Sequence, residues 1–125
     1  MAPTHIETGK LGERIGVSYL KKIGYTIFEI NYKTPFGEID CIAKQGGVIV
    51  FIEIKTRRSN AFGMPEEAVD RKKQMKMIQN AQYYLKKNKL CDALARFDVL
   101  AVMMKAQNQV EFALTTNAFE LESEF

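Results

Sequence analysis

The segment VIVFIEIKT, residues 48–56, constrains the fold more than any other part of the chain. A run this rich in Val, Ile and Phe predicts a strand buried on both faces, because a half-exposed strand would alternate apolar with polar residues. Such a strand needs structure packed on both sides of its sheet. It nevertheless carries Glu53 and Lys55, whose charges are costly to bury without partners. The segment therefore predicts a central strand whose two charges are retained for a reason.

The residues before this strand predict a helix and two further strands. Apolar residues at helical spacing indicate a helix over 10–23, which Gly24 ends. Residues 25–32 and 37–44 are strand-like, and the turn KTPFG lies between them. The short QGG that follows favours a hairpin into residues 48–56. The first three strands should form an antiparallel meander.

The second half of the chain predicts a crossover. A loop containing Gly63 and Pro65 precedes a helix predicted from about Glu66 to Lys87. Residues 95–104 and 109–116 read as a fourth and a fifth strand. A strand, a helix and another apolar strand place strand four parallel to strand three. The prediction is an α/β fold with a mixed five-stranded sheet and helices on both faces.

Length and composition predict one soluble domain. With 125 residues and 46% apolar content, the chain can close a single modest core, and we expect residues 1–9 and 120–125 to be loosely ordered. The sequence shows no apolar run of about 18 residues and no secretory signal, so we expect a cytoplasmic protein without membrane contact. Cys41 and Cys91 show no metal-binding spacing and are expected to be buried.

Charge is distributed unevenly along the chain. The net charge of +3 combines +7 between Lys55 and Lys89, where ten Lys or Arg face three acids, with −4 elsewhere. A basic block of this kind suits a polyanion such as nucleic acid, although a solvated helix face is the commoner explanation.

Carboxylates should gather near the charged end of the central strand. Side chains alternate along a strand, so Glu53 and Lys55 share one face, and Glu38 and Asp40 share a face of the preceding strand. In the expected hairpin register Asp40 lies beside Glu53. Neighbouring carboxylates raise each other's pKa, and a hard divalent cation such as Mg²⁺ offsets that repulsion. The plainer alternative is that Lys55 only forms an ion pair at a sheet end.

The order of these motifs resembles a known family. The chain has the restriction-endonuclease-like pattern of the PD-(D/E)xK nucleases, a group that includes archaeal Holliday-junction resolvases, and is more closely similar to the small bacterial YraN family, also labelled UPF0102. Gly16 is a departure, since that family usually places Ala there. The matching motifs are G-E at 12–13, Y-L at 19–20, GEID at 37–40, FIEIKTR at 51–57, GMPEEAV at 63–69, K-Q at 73–74, RFDV at 96–99 and NAF at 117–119.

The resemblance implies a catalytic set. Asp40 and Glu53 would be metal ligands, with the backbone carbonyl of Ile54 as a further candidate. Lys55 would orient or help deprotonate the attacking water and stabilise charge on the phosphate. Glu13, reaching from the first helix, would complete the acidic site. The cofactor implied is Mg²⁺ or Mn²⁺.

Several residues are candidates for contact with nucleic acid. By resemblance, Lys73 and Gln74 form a helical polar pair near the site. Arg57 and Arg58 could steer phosphates, although a solvated strand end is an equal alternative. Lys72 and Lys76 belong to the same basic helix. Asp98 is expected to be structural, and Tyr84 to pack in the core rather than stack on bases.

Three functions follow from this pattern. The first is a Mg²⁺-dependent endonuclease that hydrolyses DNA, with branched or flapped DNA as the substrate by analogy. The second is a DNA-binding adaptor that keeps the nuclease-like fold without cutting. The third is an interaction domain in which the charged cluster is a salt-bridge network. The resemblance to dimeric resolvases also makes a homodimer plausible.

Overall fold

The computed structural model describes residues 5–58, 70–105, 107 and 109–119, with side chains from Thr8 onward. Within these residues, two helices and five strands follow one another. In order they are α1 (His5–Lys22), β1 (Thr26–Thr34), β2 (Gly37–Gln45), β3 (Val48–Arg58), α2 (Arg71–Lys87), β4 (Ala95–Met104) and β5 (Val110–Phe119).

The strands form one sheet in the order β1-β2-β3-β4-β5. β1 with β2 and β2 with β3 are antiparallel, β3 with β4 is parallel, and β4 with β5 is antiparallel. The predicted meander, crossover and mixed five-stranded sheet are confirmed. Gly46 (φ 56°) and Gly47 (φ 82°) both have positive φ, as a tight hairpin turn requires.

The helix boundaries differ from the sequence expectation. α1 begins at His5 rather than at about Lys10, and Gly24 ends it with a φ of 105°. Asp70 has extended backbone, and its side chain accepts the backbone N–H of Lys73 at 2.8 Å. It is therefore the N-cap, and α2 starts at Arg71, five residues after the predicted start. The predicted start at Glu66, together with the loop around Gly63 and Pro65, lies outside the described residues.

The central strand separates two cores, as its composition predicts. Phe51 packs on one face with Ile78, Leu85 and Phe97, beneath α2. On the other face, beneath α1, Ile52 belongs to a second core. The buried members of this second core are Val17, Leu20, Tyr25, Cys41, Ala43, Val50, Ile52, Ile54, Leu100 and Val102.

Two smaller expectations have mixed outcomes. Tyr84 is buried and meets Tyr32 and Phe51 edge to face, which confirms its place in the core. Cys41 is buried but Cys91 is exposed, so the expectation that both thiols are buried is wrong for Cys91. Neither of the helices described here combines the length and the apolar character that crossing a bilayer would need.

Candidate active site

β2 and β3 separate at one end, and this creates the site. Their last paired residues are Cys41 and Ile52, whereas β3 stays paired with β4 as far as Arg58. Residues 38–40 of β2 and 53–55 of β3 thus form a fork, which is a gap in the backbone pairing of these two strands. The same register, continued by one residue, places Asp40 across from Glu53, as the sequence predicted.

The Asp40 carboxylate lies inside the fork. The backbone N–H of Ile54, which β2 no longer pairs, donates to Asp40 Oδ2 at 2.8 Å. A backbone donor at this depth is costly to leave unpaired. The bond therefore satisfies Ile54 and fixes the carboxylate against β3. The role of the Ile54 carbonyl as a ligand stays a prediction.

Glu53 carries a charge almost out of contact with water, with 7% of the residue exposed. Two ammonium groups face one of its oxygens: Lys73 Nζ lies 3.3 Å from Oε1, and Lys55 Nζ lies 3.5 Å from the same atom. Lys55 comes from the same strand and Lys73 from α2. The two lysines offset part of the cost of burying the carboxylate.

α1 reaches the fork because Gly12 has no side chain. A Cβ at Gly12 would lie 2.7 Å from Thr56 Cγ2 and 2.8 Å from Thr56 Cβ, distances that real Cβ atoms essentially never show. The helix backbone therefore rests directly on β3. The next residue, Glu13, is held where its carboxylate interacts electrostatically with both Glu38 and Glu53.

Gly16 continues the same contact one helical turn later. A Cβ there would meet Leu100 Cδ2 at 3.1 Å and Ile54 Cγ2 at 3.3 Å, which is tighter than ordinary packing. The departure from Ala at this position therefore suits a close approach of α1 to the sheet. Gly16 touches none of the charged groups of the fork.

Asn31 links two of the carboxylates, and sequence reasoning did not identify it. With its amide nitrogen turned towards the acids, it donates to Glu38 Oε1 at 2.9 Å and to Glu13 Oε2 at 3.2 Å. Its φ of 54° is unusual for a strand residue but well tolerated by Asn. An amide in the middle of a strand rich in aromatic and β-branched residues was the available signal.

The four carboxylates of Glu13, Glu38, Asp40 and Glu53, here called the acidic centre, repel one another. Burial and the charge of Glu53 raise the pKa of Asp40 to about 7, although the bond from Ile54 opposes the shift. Burial is also the main reason that the pKa of Glu13 is raised. Without a cation, burial and repulsion therefore favour the protonated forms of Asp40 and Glu13.

The donor set fits a hard cation held by few protein ligands. Within the described ranges, no three Asp, Glu, His or Cys side chains form a ready ligand group for a metal. Mg²⁺ is often bound through one or two carboxylates and completed by water. Asp40 and Glu53, facing each other across the gap, meet that requirement, and added positive charge would relieve their repulsion.

The residues predicted to contact phosphate have different partners in the structure. Lys73 reaches the acidic centre itself, whereas Lys76 Nζ donates to the Phe36 carbonyl at 3.3 Å. Arg57 bonds the Thr56 carbonyl at 3.1 Å, and Arg58 bonds Thr8 Oγ1 at 3.1 Å. Lys72 is exposed and Gln74 is half-buried. Their proposed contacts with nucleic acid stay predictions.

A second polar contact positions the β1–β2 hairpin, and it too was missed. The buried Asn80 of α2 accepts the Thr34 hydroxyl and donates to the Glu38 carbonyl at 3.5 Å. The hairpin carries Glu38, and Asp40 follows two residues later. Asn80 therefore ties α2 to the strand that supplies the acids.

Asp98 is structural, as expected. It is fully buried and accepts the Tyr25 hydroxyl at 2.8 Å, the Arg96 guanidinium at 3.0 Å and the Asn117 backbone N–H at 2.9 Å. Burial and Asp98 together raise the pKa of Tyr25 to about 12. The network joins β4 to β5 and to the start of β1, and Asp98 lies in the register opposite Ile52 rather than in the fork.

Comparison with known proteins gives a consistent grouping. Residues 12–102 match a family described as "Uncharacterised protein family UPF0102". A UPF0102 protein of Syntrophus aciditrophicus is 45% identical over 117 residues, which cover 94% of this chain and 91% of that protein. One from Thermodesulfovibrio yellowstonii is 47% identical over 108 residues, or 86% and 96% of the two chains. These names state no activity, so a function can be inferred only from the geometry of the site.

Proposed function

The chain belongs to the UPF0102 family, and from the geometry of its fork we propose that it is a metal-dependent endonuclease that hydrolyses DNA phosphodiester bonds. One observation carries this proposal. Glu13, Asp40, Glu53 and Lys55 come from three separate elements, and they converge at a gap in the sheet. The same four positions match the motifs of the PD-(D/E)xK nucleases.

Asp40 and Glu53 would hold Mg²⁺ or Mn²⁺. A bound dication supplies two kinds of chemistry in phosphodiester hydrolysis: it polarises a phosphoryl oxygen and lowers the pKa of its water. The closeness of the carboxylates in the acidic centre supports such a cation, because its charge would favour their ionised forms. Glu13 would complete the site through water, because Asn31 holds its carboxylate beside that of Glu38.

Lys55 and Lys73 would act on the phosphate. In the free protein both ammonium groups lie within 3.5 Å of Glu53 Oε1. If Glu53 held a dication, it would attract these lysines less strongly, and Lys55 and Lys73 would be available to the phosphate. Lys55 would orient the attacking water and stabilise the charge that develops on the phosphoryl oxygens.

The basic surface around the fork would bind the DNA backbone. The segment from Lys55 to Lys89 has a charge of +7, and it supplies Arg57, Arg58, Lys72 and Lys76 near the site. Contacts of this kind do not depend on sequence and weaken steeply as salt concentration rises.

The adaptor function is the second candidate, and one observation favours it. Lys55 and Lys73 already partner Glu53, so part of the charged cluster is satisfied without a metal. An adaptor would bind DNA through the same basic surface but leave it intact. The two functions therefore differ in cutting and not in binding.

A cleavage assay separates them. Branched, flapped, single-stranded and duplex DNA are incubated with the protein, with Mg²⁺, with Mn²⁺ or with a chelator. We expect metal-dependent cutting of at least one substrate, and Glu53→Gln should reduce the rate by at least about a hundredfold while DNA binding persists. Glu111→Gln, an exposed site on β5, is the matched control and should cut normally. DNA binding without cutting by the wild-type protein would favour the adaptor.

A further inference from the structure

A groove beside the acidic centre has no role in the chemistry proposed above. It lies between α1 and β1 and has a volume of about 960 Å³, within the range of ligand-binding clefts. Its wall includes Glu13 and Glu38 of the acidic centre, together with Asn31, which bonds both of them. Whatever occupies this α1–β1 groove therefore lies directly beside the proposed cleavage site.

The rim of the groove is basic. Lys10 and Arg14 contribute from α1 and Lys33 from β1, and all three are exposed. They are separate from the basic residues of β3 and α2, on which the proposed grip of the DNA backbone depends. Charges placed in this way suit phosphates that continue past the acidic centre along the groove.

Away from Glu13, Asn31 and Glu38, the wall of the groove is apolar. Leu11 is 41% exposed and Ile30 is 48% exposed, although both are large aliphatic side chains, and the buried Val17 also lines the groove. Exposed apolar surface rimmed by charge often marks a binding site. An apolar wall with a cationic rim matches a nucleotide, which has an apolar base face and an anionic phosphate.

The groove favours unpaired over paired nucleotides. A base can lie against its wall only after leaving the stack, which costs a few kcal/mol in a duplex and least in a strand that is already single. We propose that the α1–β1 groove binds the unpaired strand adjacent to the scissile phosphate, so that the substrate is DNA with a single-stranded arm. This inference rests on the proposed function and specifies its substrate.

Binding measured without metal tests the groove independently of cutting. Two fluorescent probes are compared in chelator: a blunt duplex, and the same duplex with a single-stranded arm. The wild-type protein should bind the armed probe at least about tenfold more tightly, a difference of about 1.4 kcal/mol. Equal affinity for the two probes, or failure to bind either, would overturn the inference.

Substitutions then locate the arm. Ile30→Glu and Arg14→Glu alter exposed positions of the groove and should remove the preference for the armed probe. Lys44→Glu makes the same kind of charge change at an exposed site near the β2–β3 turn, and should keep the preference. Preserved preference in both groove variants, with thermal unfolding confirming that they fold, would show that the arm binds elsewhere.

A photoreactive base in the arm gives a direct readout of position. Crosslinks should map to peptides containing residues 10–18 or 30–33, and crosslinks confined to α2 would contradict the groove. The two proposals can fail separately. Arm preference without metal-dependent cutting would reject the nuclease alone, whereas cutting without arm preference would reject the groove alone.

Discussion

At the scale of single residues, the site is a group of carboxylates that hydrogen bonds hold in position. Asp40 is fixed by the Ile54 N–H, and Asn31 binds Glu13 and Glu38 together. These bonds place the carboxylates but do not neutralise them. The consequence is a raised pKa for Asp40 and for Glu13, which makes the ionised form of the site unfavourable until a cation is present.

This repulsion predicts how the stability of the metal-free protein depends on pH. The pKa of Asp40 is about 7 in the folded chain against 3.8 ordinarily, because of burial and the charges of Glu53 and Glu13, which Lys73 partly offsets. Between these pH values the folded chain keeps a proton that the unfolded chain has lost. Stability should therefore fall as pH rises from about 4 to about 7.

Asp40→Asn should remove much of this fall, because an asparagine side chain does not ionise. Its amide oxygen can still accept the Ile54 N–H. Thermal unfolding in chelator is the measurement: the variant should match the wild type near pH 4 and melt at a higher temperature at pH 8. Asp92→Asn makes the same change at an exposed turn and should follow the wild-type curve. Parallel curves for Asp40→Asn and the wild type would contradict the electrostatic account.

At the scale of elements, the site depends on how closely α1 approaches the sheet. Gly12→Ala adds a Cβ where Thr56 already lies, so the helix must move and carry Glu13 with it. Overpacking of this kind costs about 1–3 kcal/mol. We expect a lower melting temperature and a clear loss of metal-dependent cutting, measured on the same substrate as for the wild type.

Gly9→Ala is the matched control, since nothing lies within 4 Å of a Cβ at that position of the same helix. It should keep both activity and stability, with a gain of up to about 1 kcal/mol from helix propensity. Full activity in Gly12→Ala would mean that the position of Glu13 does not matter for catalysis.

The sequence predicted the elements well where periodicity was strong. β4 has the predicted limits, and β3 begins at the predicted residue and extends two residues further. The prediction that α2 starts at Glu66 was wrong. Glu66 and Glu67 resemble an acidic first turn, whereas the observed N-cap is Asp70. Local composition alone could not distinguish these two starts, since both provide acids before a helical pattern.

The candidate site was predictable only in part. Alternation along β3 placed Glu53 and Lys55 on one face, and the hairpin register placed Asp40 beside them. The fork was not predictable, because in it the Ile54 N–H donates to the side chain of Asp40 instead of to the backbone of β2. Asn31 and Asn80 were missed for a related reason: each joins elements that are distant in sequence.

At the scale of the whole molecule, the fork and the Asp98 network have different roles. Asp98 lies in a buried network that includes Arg96, Tyr25 and the Asn117 backbone, and none of these belongs to the fork. Removing one partner of a buried ion pair costs about 3–5 kcal/mol. Asp98→Ala should therefore lower stability by that amount, as measured by chemical denaturation, while the fraction that remains folded keeps its metal affinity.

Glu111→Gln provides the comparison, because it breaks the Lys105–Glu111 pair, in which both side chains are exposed. Such a pair contributes no more than about 1 kcal/mol. A similarly small effect of Asp98→Ala would show that the network does not hold the sheet together. A loss of metal affinity in the folded variant would mean that the Asp98 network and the fork are coupled.

The most direct test of the account is a calorimetric titration of Mn²⁺ into the protein at neutral pH without DNA. The convergence of Asp40 and Glu53 predicts saturable binding that Asp40→Asn and Glu53→Gln each weaken by at least about tenfold and that Glu111→Gln leaves unchanged. Absence of binding to the wild type, or equal binding by all four proteins, would contradict the claim that this fork is a metal centre.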